Sequence, residues 1–177
     1  MPHSRPTLDY ALLGLLVRGP ASGYDLRKIF QTTALGRYSD SPGSIYPALA
    51  RLERQGLIDG RAEKSGRRRR VFHLTRRGRQ VISEWIEQPI AVDDLVRDAA
   101  IVDLRLAFMS DAAPDCLERF LEQYGRAAAE YVEKLEAGRD EFENDISTSA
   151  ALAFDLGITL ARARASWVRT TARAEAA

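Results

Sequence analysis

Four consecutive arginines, Arg67 to Arg70, form the densest cluster of charge in this sequence. Lys and Arg side chains displace condensed counterions from phosphates, so a cluster of this kind is suited to a polyanion. Lys64 precedes it across Ser65 and Gly66, a combination typical of a turn. A basic turn can reach phosphates or a minor groove. The alternative interpretation is a solvated charged surface without a partner.

A second group of candidate DNA contacts precedes the arginines and has helical spacing. Ser41 is a suitable N-cap for this helix, and Pro42 suits its first position. Ile45, Leu49 and Leu52 would form its buried stripe. The opposite face is small and cationic with one phenol, which suits a major groove, although an ordinary amphipathic helix would also have a solvated face. The candidate DNA contacts are Ser41, Gly43, Ser44, Tyr46, Pro47, Arg51, Arg54, Lys64, Arg67, Arg68, Arg69 and Arg70.

The neighbouring elements predict how these residues are positioned. One helix begins near Thr7, and a second is opened by Ser22 and Asp25 in a variant of the capping box. Gly56 ends the third helix, and two β-favouring runs then flank the basic turn. Thr75 caps a fourth helix. Helices followed by a basic two-stranded hairpin predict a winged helix-turn-helix. This fold binds DNA through its third helix and its hairpin.

Charge is distributed unevenly along the 177 residues, although the net charge is only +1. Residues 1–88 hold 16 Lys and Arg against 8 Asp and Glu, whereas residues 89–177 hold 10 against 17. The basic half is suited to double-stranded DNA. The single cysteine, Cys116, excludes an intramolecular disulfide framework and fits a reducing compartment. We expect no secretory signal and no membrane span, hence a cytoplasmic protein.

The second half predicts three helices, of which the middle one repeats its apolar residues in sevens. This seam could close within the chain or on a second chain. Its length and its aromatic residues favour a homodimer. A dimer would hold two recognition helices about 34–36 Å apart, or a multiple of that distance, on a palindromic site. The predicted dimer interface consists of Leu117, Leu121, Tyr124, Ala128, Tyr131, Leu135, Phe142, Leu156 and Trp167.

Other chemistry has little support in the sequence. Nucleotide-binding loops and the common hydrolase and metalloprotease motifs are missing, so we predict no catalytic residues, no cofactor and no metal site. Cys116 lies at a helix start, but the two histidines lie in a tail and a strand, which disfavours a catalytic thiol. Trp85 and Trp167 could line a pocket for a small apolar or aromatic effector. Plain core packing is the alternative for both rings.

Several short stretches of the sequence occur together in one known family. They are Ser22-Gly23-Tyr24-Asp25-Leu26, Gly43-Ser44-Ile45-Tyr46-Pro47-Ala48-Leu49, Arg51-Leu52-Glu53, Gly56-Leu57-Ile58 and Phe72-x-Leu74-Thr75-x-x-Gly78. In this combination, over residues 8 to about 88, the chain resembles the PadR family of bacterial transcriptional regulators.

The resemblance implies a dimeric winged helix-turn-helix protein that represses a nearby gene and is released by a small molecule. It also implies that Tyr46 and the start of its helix approach DNA and that the turn at Gly66 is the tip of the wing. Phe72 departs from the family pattern, where tyrosine is more common, so the resemblance implies no hydroxyl contact there.

We therefore predict a mostly α fold with a small β-wing, in two domains. Residues 1–88 form a winged helix-turn-helix, and residues 89–177 form a helical, coiled-coil-like dimerisation domain that could also bind an effector. The predicted function is a sequence-specific, ligand-responsive repressor that binds a palindromic operator as a homodimer. The alternative is an adaptor whose winged helix binds a protein instead of DNA.

Overall fold

The computed structural model describes residues 5–62, 69–141 and 146–175. Within these residues the chain is mostly helical, with one three-stranded antiparallel sheet. The helices are α1 (Thr7–Val17), α2 (Gly23–Thr32), α3 (Pro42–Arg54), α4 (Arg76–Ile86), α5 (Val92–Ala112), α6 (Leu117–Glu141) and α7 (Thr148–Glu175). The strands are β1 (Ala21–Ser22), β2 (Ile58–Ala62) and β3 (Arg70–Leu74). Short 3₁₀ turns occupy Ala34–Arg37 and Pro114–Cys116. The predicted fold class is confirmed.

The chain separates into two compact units. The first comprises Met1–Glu87 with Leu104–Pro114, and the second comprises Gln88–Asp103 with Asp115–Ala177. Helix α5 is thus divided between them. The first unit includes part of a segment that the sequence analysis assigned to the C-terminal domain, so the boundary near residue 88 stays a prediction.

The first unit is built around α1, which is apolar on almost every side. Leu12, Leu13 and Leu16 of this helix are buried, as are Phe30 of α2 and Leu49 of α3. The helix begins one residue earlier than its predicted cap, because Pro6 occupies the N-cap position and Thr7 is the first helical residue. An apolar helix of this kind buries its whole circumference, which explains why it forms the centre of the domain.

Local hydrogen bonds define the start of α2 and α4, as predicted. Ser22 Oγ accepts a 3.2 Å bond from the Asp25 amide, and the Asp25 carboxylate accepts the Ser22 amide in return. Thr75 Oγ1 accepts a 3.0 Å bond from the Gly78 amide. Gly56, with φ of 68°, ends α3 in the left-handed conformation that glycine adopts without steric cost.

The sheet has the order β1-β3-β2. In the hairpin, Ile58 pairs with Leu74 and Gly60 pairs with Phe72. Strand β1 was not predicted, because it is only two residues long and carries no alternation of apolar and polar residues. It pairs Ala21 with Phe72, so the central strand is hydrogen-bonded on both sides and holds the wing against the start of α2.

The second unit is a packed pair of long helices, α6 and α7, with the first part of α5. Phe120, Leu121 and Tyr124 of α6 and Ile158 and Val168 of α7 are buried. Helix α5 is interrupted at Asp98, whose backbone is extended (φ −164°, ψ 88°). Helix α6 starts directly after the 3₁₀ turn at Pro114–Cys116 and continues through Gly138.

A polar network joins the three helices of the second unit. The Tyr124 hydroxyl donates a 2.6 Å hydrogen bond to Asp103, and Arg164 Nη1 donates to the same carboxylate oxygen at 2.8 Å. Burial and the bond to Asp103 raise the pKa of Tyr124. Because a buried hydroxyl and a guanidinium each need partners, this network restricts the relative register of α5, α6 and α7.

Candidate nucleic-acid interface

The first turn of α3 presents a small, polar surface to solvent. Ser41 caps it by accepting a 3.2 Å hydrogen bond from the Gly43 amide, and Pro42 is the first helical residue. Ile45 and Leu49 face the core, whereas Ser44 and Pro47 are exposed. An exposed helix N-terminus with small side chains can approach an anion closely, because amide groups and the helix dipole point outwards there.

Two tyrosines flank this surface. Tyr46 of α3 is 47% exposed and Tyr24 of α2 is 63% exposed. The Tyr46 ring lies against Gly23, where an added Cβ would be only 2.6 Å from ring carbon Cε1, so glycine is needed for this approach. Tyr24 was not among the predicted contacts. The sequence feature that distinguishes Tyr24 is its large aromatic side chain beside the capping box. This residue does not belong to the buried stripe of Leu26 and Phe30.

A groove of about 380 Å³ runs beside the tyrosines, within the first unit. It is formed by the start of α2, one side of α3 and the beginning of β3. Its lining comprises Ser22, Gly23, Tyr24, Tyr46, Ala50, Glu53, Arg69, Arg70 and Phe72. The structure thus brings the helix-turn-helix and the first residues of the wing strand to one surface.

Arg51 has a partner inside the protein. Its Nε donates a 3.1 Å hydrogen bond to Asp9 of α1, and its Nη2 donates to the second carboxylate oxygen. Asp9 is fully buried. The hydrogen bonds to Asp9 raise the pKa of Arg51. The pair joins α1 to α3, a role that the sequence analysis missed although Asp9 is the one charged residue in an otherwise apolar helix.

Arg70 and Glu53 connect the wing to the recognition helix. Arg70 Nη2 donates a 2.6 Å hydrogen bond to Glu53 Oε1, which also accepts a 3.0 Å bond from the Gly60 amide. A Cβ on Gly60 would lie 2.5 Å from Arg70 Nε and 2.8 Å from Glu53 Oε1. Glycine at this position therefore lets α3, β2 and β3 meet at one carboxylate.

Arg69 forms an ion pair with Asp25 at the start of α2. Burial alone would raise the pKa of Asp25, but hydrogen bonds from Ser22 and the positive charge of Arg69 outweigh it and lower that pKa. The remaining predicted wing residues, Lys64, Arg67 and Arg68, lie outside the described residues, as does Phe142 of the predicted seam. Arg54 lies exposed at the last residue of α3.

The two tryptophans proposed for an effector pocket have different surroundings. Trp85 is almost completely buried in the first unit and stacks on Tyr10, with ring centroids 4.2 Å apart and planes 7° from parallel. Burial raises the pKa of Tyr10. Trp167 of α7 is 50% exposed. Trp85 therefore has the aromatic partner expected of a core residue.

The predicted dimer seam is largely filled by the chain itself. Leu121, Tyr124 and Ala128 are buried within the second unit, and Leu117, Tyr131 and Leu135 are half-buried. The exposed members of the predicted set are Leu156 and Trp167, both on α7. The periodicity of α6 identified a packed face, and the face is covered mainly by α7 of the same chain.

Residues 5–62, 69–141 and 146–175 contain neither a metal-binding cluster nor a membrane-spanning helix. These residues contain no group of three or more His, Cys, Asp or Glu side chains arranged to hold a metal ion. None of their helices has the length and apolar composition needed to cross a bilayer.

The three-stranded sheet and the helices α1 to α4 define a winged helix-turn-helix domain. Residues 12–84 match the model of a family described as the transcriptional regulator PadR-like family. The match spans 73 of the 177 residues, and over that segment it confirms the resemblance to this family noted from the sequence. This is a family of DNA-binding transcriptional regulators, not of enzymes.

Known proteins resemble the chain to different extents. It is 32% identical over 114 residues to the negative transcriptional regulator PadR of Bacillus subtilis (strain 168), which covers 63% of this chain and 59% of that protein. The chain thus aligns with less than two thirds of that relative. Bacillus subtilis PadR in complex with operator DNA is 23% identical, with a TM-score of 0.44 and coverage of 96% of this chain and 98% of that chain. The complex with p-coumaric acid is 23% identical, with a TM-score of 0.43 and coverage of 94% and 97%.

Proposed function

We propose that this protein is a repressor that binds a palindromic operator as a homodimer in the bacterial cytoplasm. The observation that carries the proposal is the exposed first turn of α3 beside Tyr24, Tyr46 and the start of β3. Such an arrangement fits a recognition helix whose N-terminal residues reach base edges while the wing contacts the flanking backbone. The name of the Bacillus subtilis relative, a negative regulator, supports repression rather than activation.

The proposed DNA contacts fall into two groups. The first turn of α3 approaches phosphates or bases through Ser41, Gly43, Ser44 and Tyr46. Pro47 lies beside them. In the wing, Lys64, Arg67 and Arg68 neutralise phosphates, and Arg54 adds charge at the far end of the helix. Arg69 and Arg70 are paired with Asp25 and Glu53, so they reach a phosphate only when those pairs open. Phosphate contacts position the protein, whereas base contacts specify the sequence.

Arg51 is better explained as a structural residue than as a DNA contact. Its Nε and Nη2 both donate to the buried Asp9. Withdrawing the guanidinium would leave the buried carboxylate with only Arg5, whose Nη1 lies 3.9 Å from it. Removing one partner of a buried ion pair costs about 3–5 kcal/mol. A single phosphate contact on the exposed surface does not offset a cost of that size, so we remove Arg51 from the proposed interface.

Homodimerisation is supported by helix α7. Leu152, Leu156 and Leu160 are 64%, 61% and 62% exposed, and Trp167 lies on the same side of the helix. Large apolar side chains in one exposed stripe mark an interaction surface. A second copy would cover the stripe and would place two recognition helices on successive half-sites of one duplex.

A small aromatic effector completes the proposal. Its binding would change the spacing of the two helix-turn-helix units in the dimer and shift the equilibrium away from DNA. p-Coumaric acid, which was bound in a structure of Bacillus subtilis PadR, is a suitable first compound. The test adds increasing amounts of the compound to a preformed protein–DNA complex and measures the fraction of DNA that stays bound. It tests this part of the proposal separately.

The test of the central proposal is selection from a random duplex pool with the full-length protein. Enrichment of an inverted repeat over several rounds is the expected result. Retention without enrichment would restrict the protein to non-specific phosphate binding. Lack of retention at low salt would instead favour the adaptor, in which the same surface binds a protein. The Tyr46→Ala variant, selected in parallel, separates contact by α3 from binding by the wing alone.

A further inference from the structure

The exposed side of α3 that lies opposite its buried side chains has a distinctive chemistry. The residues along the middle of this side are three or four positions apart, so they form one row parallel to the helix axis. This outer row consists of Gly43, Pro47, Ala50 and Arg54. It is about 16–17 Å long at 1.5 Å per residue. In a helix that lies in a major groove, such a row is the part that comes closest to the base edges.

Most of the outer row cannot form hydrogen bonds through its side chains. Gly43 has no side chain, Ala50 ends in a methyl group, and the ring of Pro47 carries neither donor nor acceptor. Arg54 is the exception, and no residue in the described parts of the chain pairs with its guanidinium. The row therefore presents an apolar surface over most of its length and a free guanidinium at its C-terminal end.

The polar side chains beside the outer row are bound to other parts of the protein. Arg51 donates to Asp9, and Glu53 accepts a hydrogen bond from Arg70. The side-chain oxygen of Gln55 accepts a hydrogen bond from the N-terminal segment. From position 47 to position 54, all of which the structure describes, only the arginine at the end has an unengaged polar side chain. Hydrogen-bonded readout of bases along this part of α3 is therefore restricted to one residue.

Pro47 indicates that the apolar surface is not incidental. It lies inside α3, beyond the first amides that have no helical partner, and so removes one hydrogen bond from the helix. Its side chain is exposed and adds nothing to the core. A proline that weakens its helix and packs against nothing is better explained by a contact made at the surface.

Thymine has the base edge that suits such a surface. It is the only DNA base that presents an apolar group, its ring methyl, in the major groove. Contact of this methyl group with an alanine or proline side chain removes apolar surface from water. Adenine, guanine and cytosine present donors and acceptors at the same edge, and an apolar row would leave these groups without partners. The outer row therefore favours thymine over the other three bases.

We propose that α3 reads its operator mainly through contact of Pro47 and Ala50 with thymine methyl groups, and that Arg54 reads a guanine at the end of the row. The guanidinium fork matches the two major-groove acceptors of guanine. This inference rests on the proposed function and adds the chemistry by which the operator sequence is recognised.

Base analogues placed in the selected operator test the readout one group at a time. Deoxyuridine in place of thymine removes only the methyl group. We expect it to weaken binding about 4-fold at one or two positions in each half-site, the equivalent of one buried methylene group. Deazaguanine lacks the major-groove ring nitrogen, and it should weaken binding only at the guanine that faces Arg54. Fluorescence anisotropy titrations of the full-length protein measure each affinity.

Matched variants assign each base contact to a side chain. With Ala50→Gly, deoxyuridine at the thymine facing residue 50 should no longer weaken binding, whereas the other thymine should keep its effect. With Arg54→Met, the effect of deazaguanine should disappear in the same way. Each comparison is made within one variant, so a loss of helix stability cancels. Ala129→Gly, at an exposed position of α6, is the control and should leave all effects of the analogues unchanged.

Three results would overturn the inference. Equal affinity for the thymine and deoxyuridine operators would show that methyl groups are not read, with operator binding itself intact. Losses caused by deazapurines at several positions, together with little effect of deoxyuridine, would establish hydrogen-bonded readout instead. Selection that enriches no sequence would remove the proposed function along with the readout, which separates that failure from an error in the readout alone.

Discussion

Arg70 of β3 donates a 2.6 Å hydrogen bond to the same Glu53 oxygen of α3 that accepts the Gly60 amide of β2. One carboxylate therefore fixes the wing strands to the recognition helix. The same contact neutralises an arginine that the sequence analysis assigned to DNA. The pair thus affects both the position of the wing and the number of wing cations that are available to DNA phosphates.

The Glu53→Gln variant separates these two effects. Glutamine keeps an oxygen for the Gly60 amide but removes the charge that Arg70 faces. We expect tighter binding to all duplexes and a salt slope steeper by about 0.9, because one more cation becomes available to a phosphate. Affinity measured across a salt series, on operator and random duplex, provides the test. Glu84→Gln on α4 is the control, and an equal effect there would refute the assignment.

The wing arginines should act mainly through phosphates. Replacing Arg67 to Arg70 together with alanine should weaken binding to every sequence and flatten the salt slope, because each lost phosphate contact removes about 0.9 from it. The ratio of operator to random affinity should change little, since phosphate contacts do not read sequence. A salt slope that stays the same would contradict the assignment of the wing to the DNA backbone.

The pair of Arg51 with Asp9 should control folding rather than binding. Arg51→Met leaves a buried carboxylate without its main partner and should lower the free energy of unfolding by roughly 3 kcal/mol. The double variant Arg51→Met with Asp9→Leu should recover most of the loss, because the buried charge is gone. Urea denaturation measures both. If the recovered double variant binds DNA with a salt slope about 0.9 lower, Arg51 contacts a phosphate after all.

Loss of the hydroxyl from Tyr46 or Tyr24 should weaken DNA binding, whereas loss from a tyrosine elsewhere should not. Tyr46→Phe removes one hydroxyl and should weaken operator binding by about 2- to 13-fold, the range of a net hydrogen bond of 0.5–1.5 kcal/mol. Tyr24→Phe should behave similarly if Tyr24 lies on the same interface. Tyr131→Phe on α6 is the control and should leave DNA affinity unchanged. Equal affinities for all three variants would remove both hydroxyls from the interface.

Acid should selectively weaken the start of α2. The pKa of Asp25 is lowered in the folded protein by Ser22 and Arg69 despite the opposing effect of burial. Its contribution to stability is therefore present above the unfolded pKa, near 3.9, and is lost as pH falls through the lower folded value. Asp25→Asn should be less stable than the parent at pH 7 and should converge with it in strong acid. A stability difference that does not depend on pH would contradict the ionic role.

The sequence was most informative where a structural feature depends on neighbouring residues. Ser22 and Asp25 form the predicted capping box, and Thr75 caps α4, because the donors and acceptors involved are three residues apart in the chain. The winged helix-turn-helix and its family were predicted from such local signals together. The DNA-contacting residues and the boundary near residue 88 remain predictions.

The order of residues along the chain indicates which of them share a helix face, whereas packing determines what covers that face. Leu121 and Leu156 both lie in regular apolar patterns, yet α6 is buried by α7 and Leu156 stays exposed. Likewise, Arg51 and Arg70 look like free cations in the sequence, and each finds a carboxylate 42 or 17 residues away. Periodicity follows from the geometry of one helix, whereas long-range partners depend on how the helices and strands pack together.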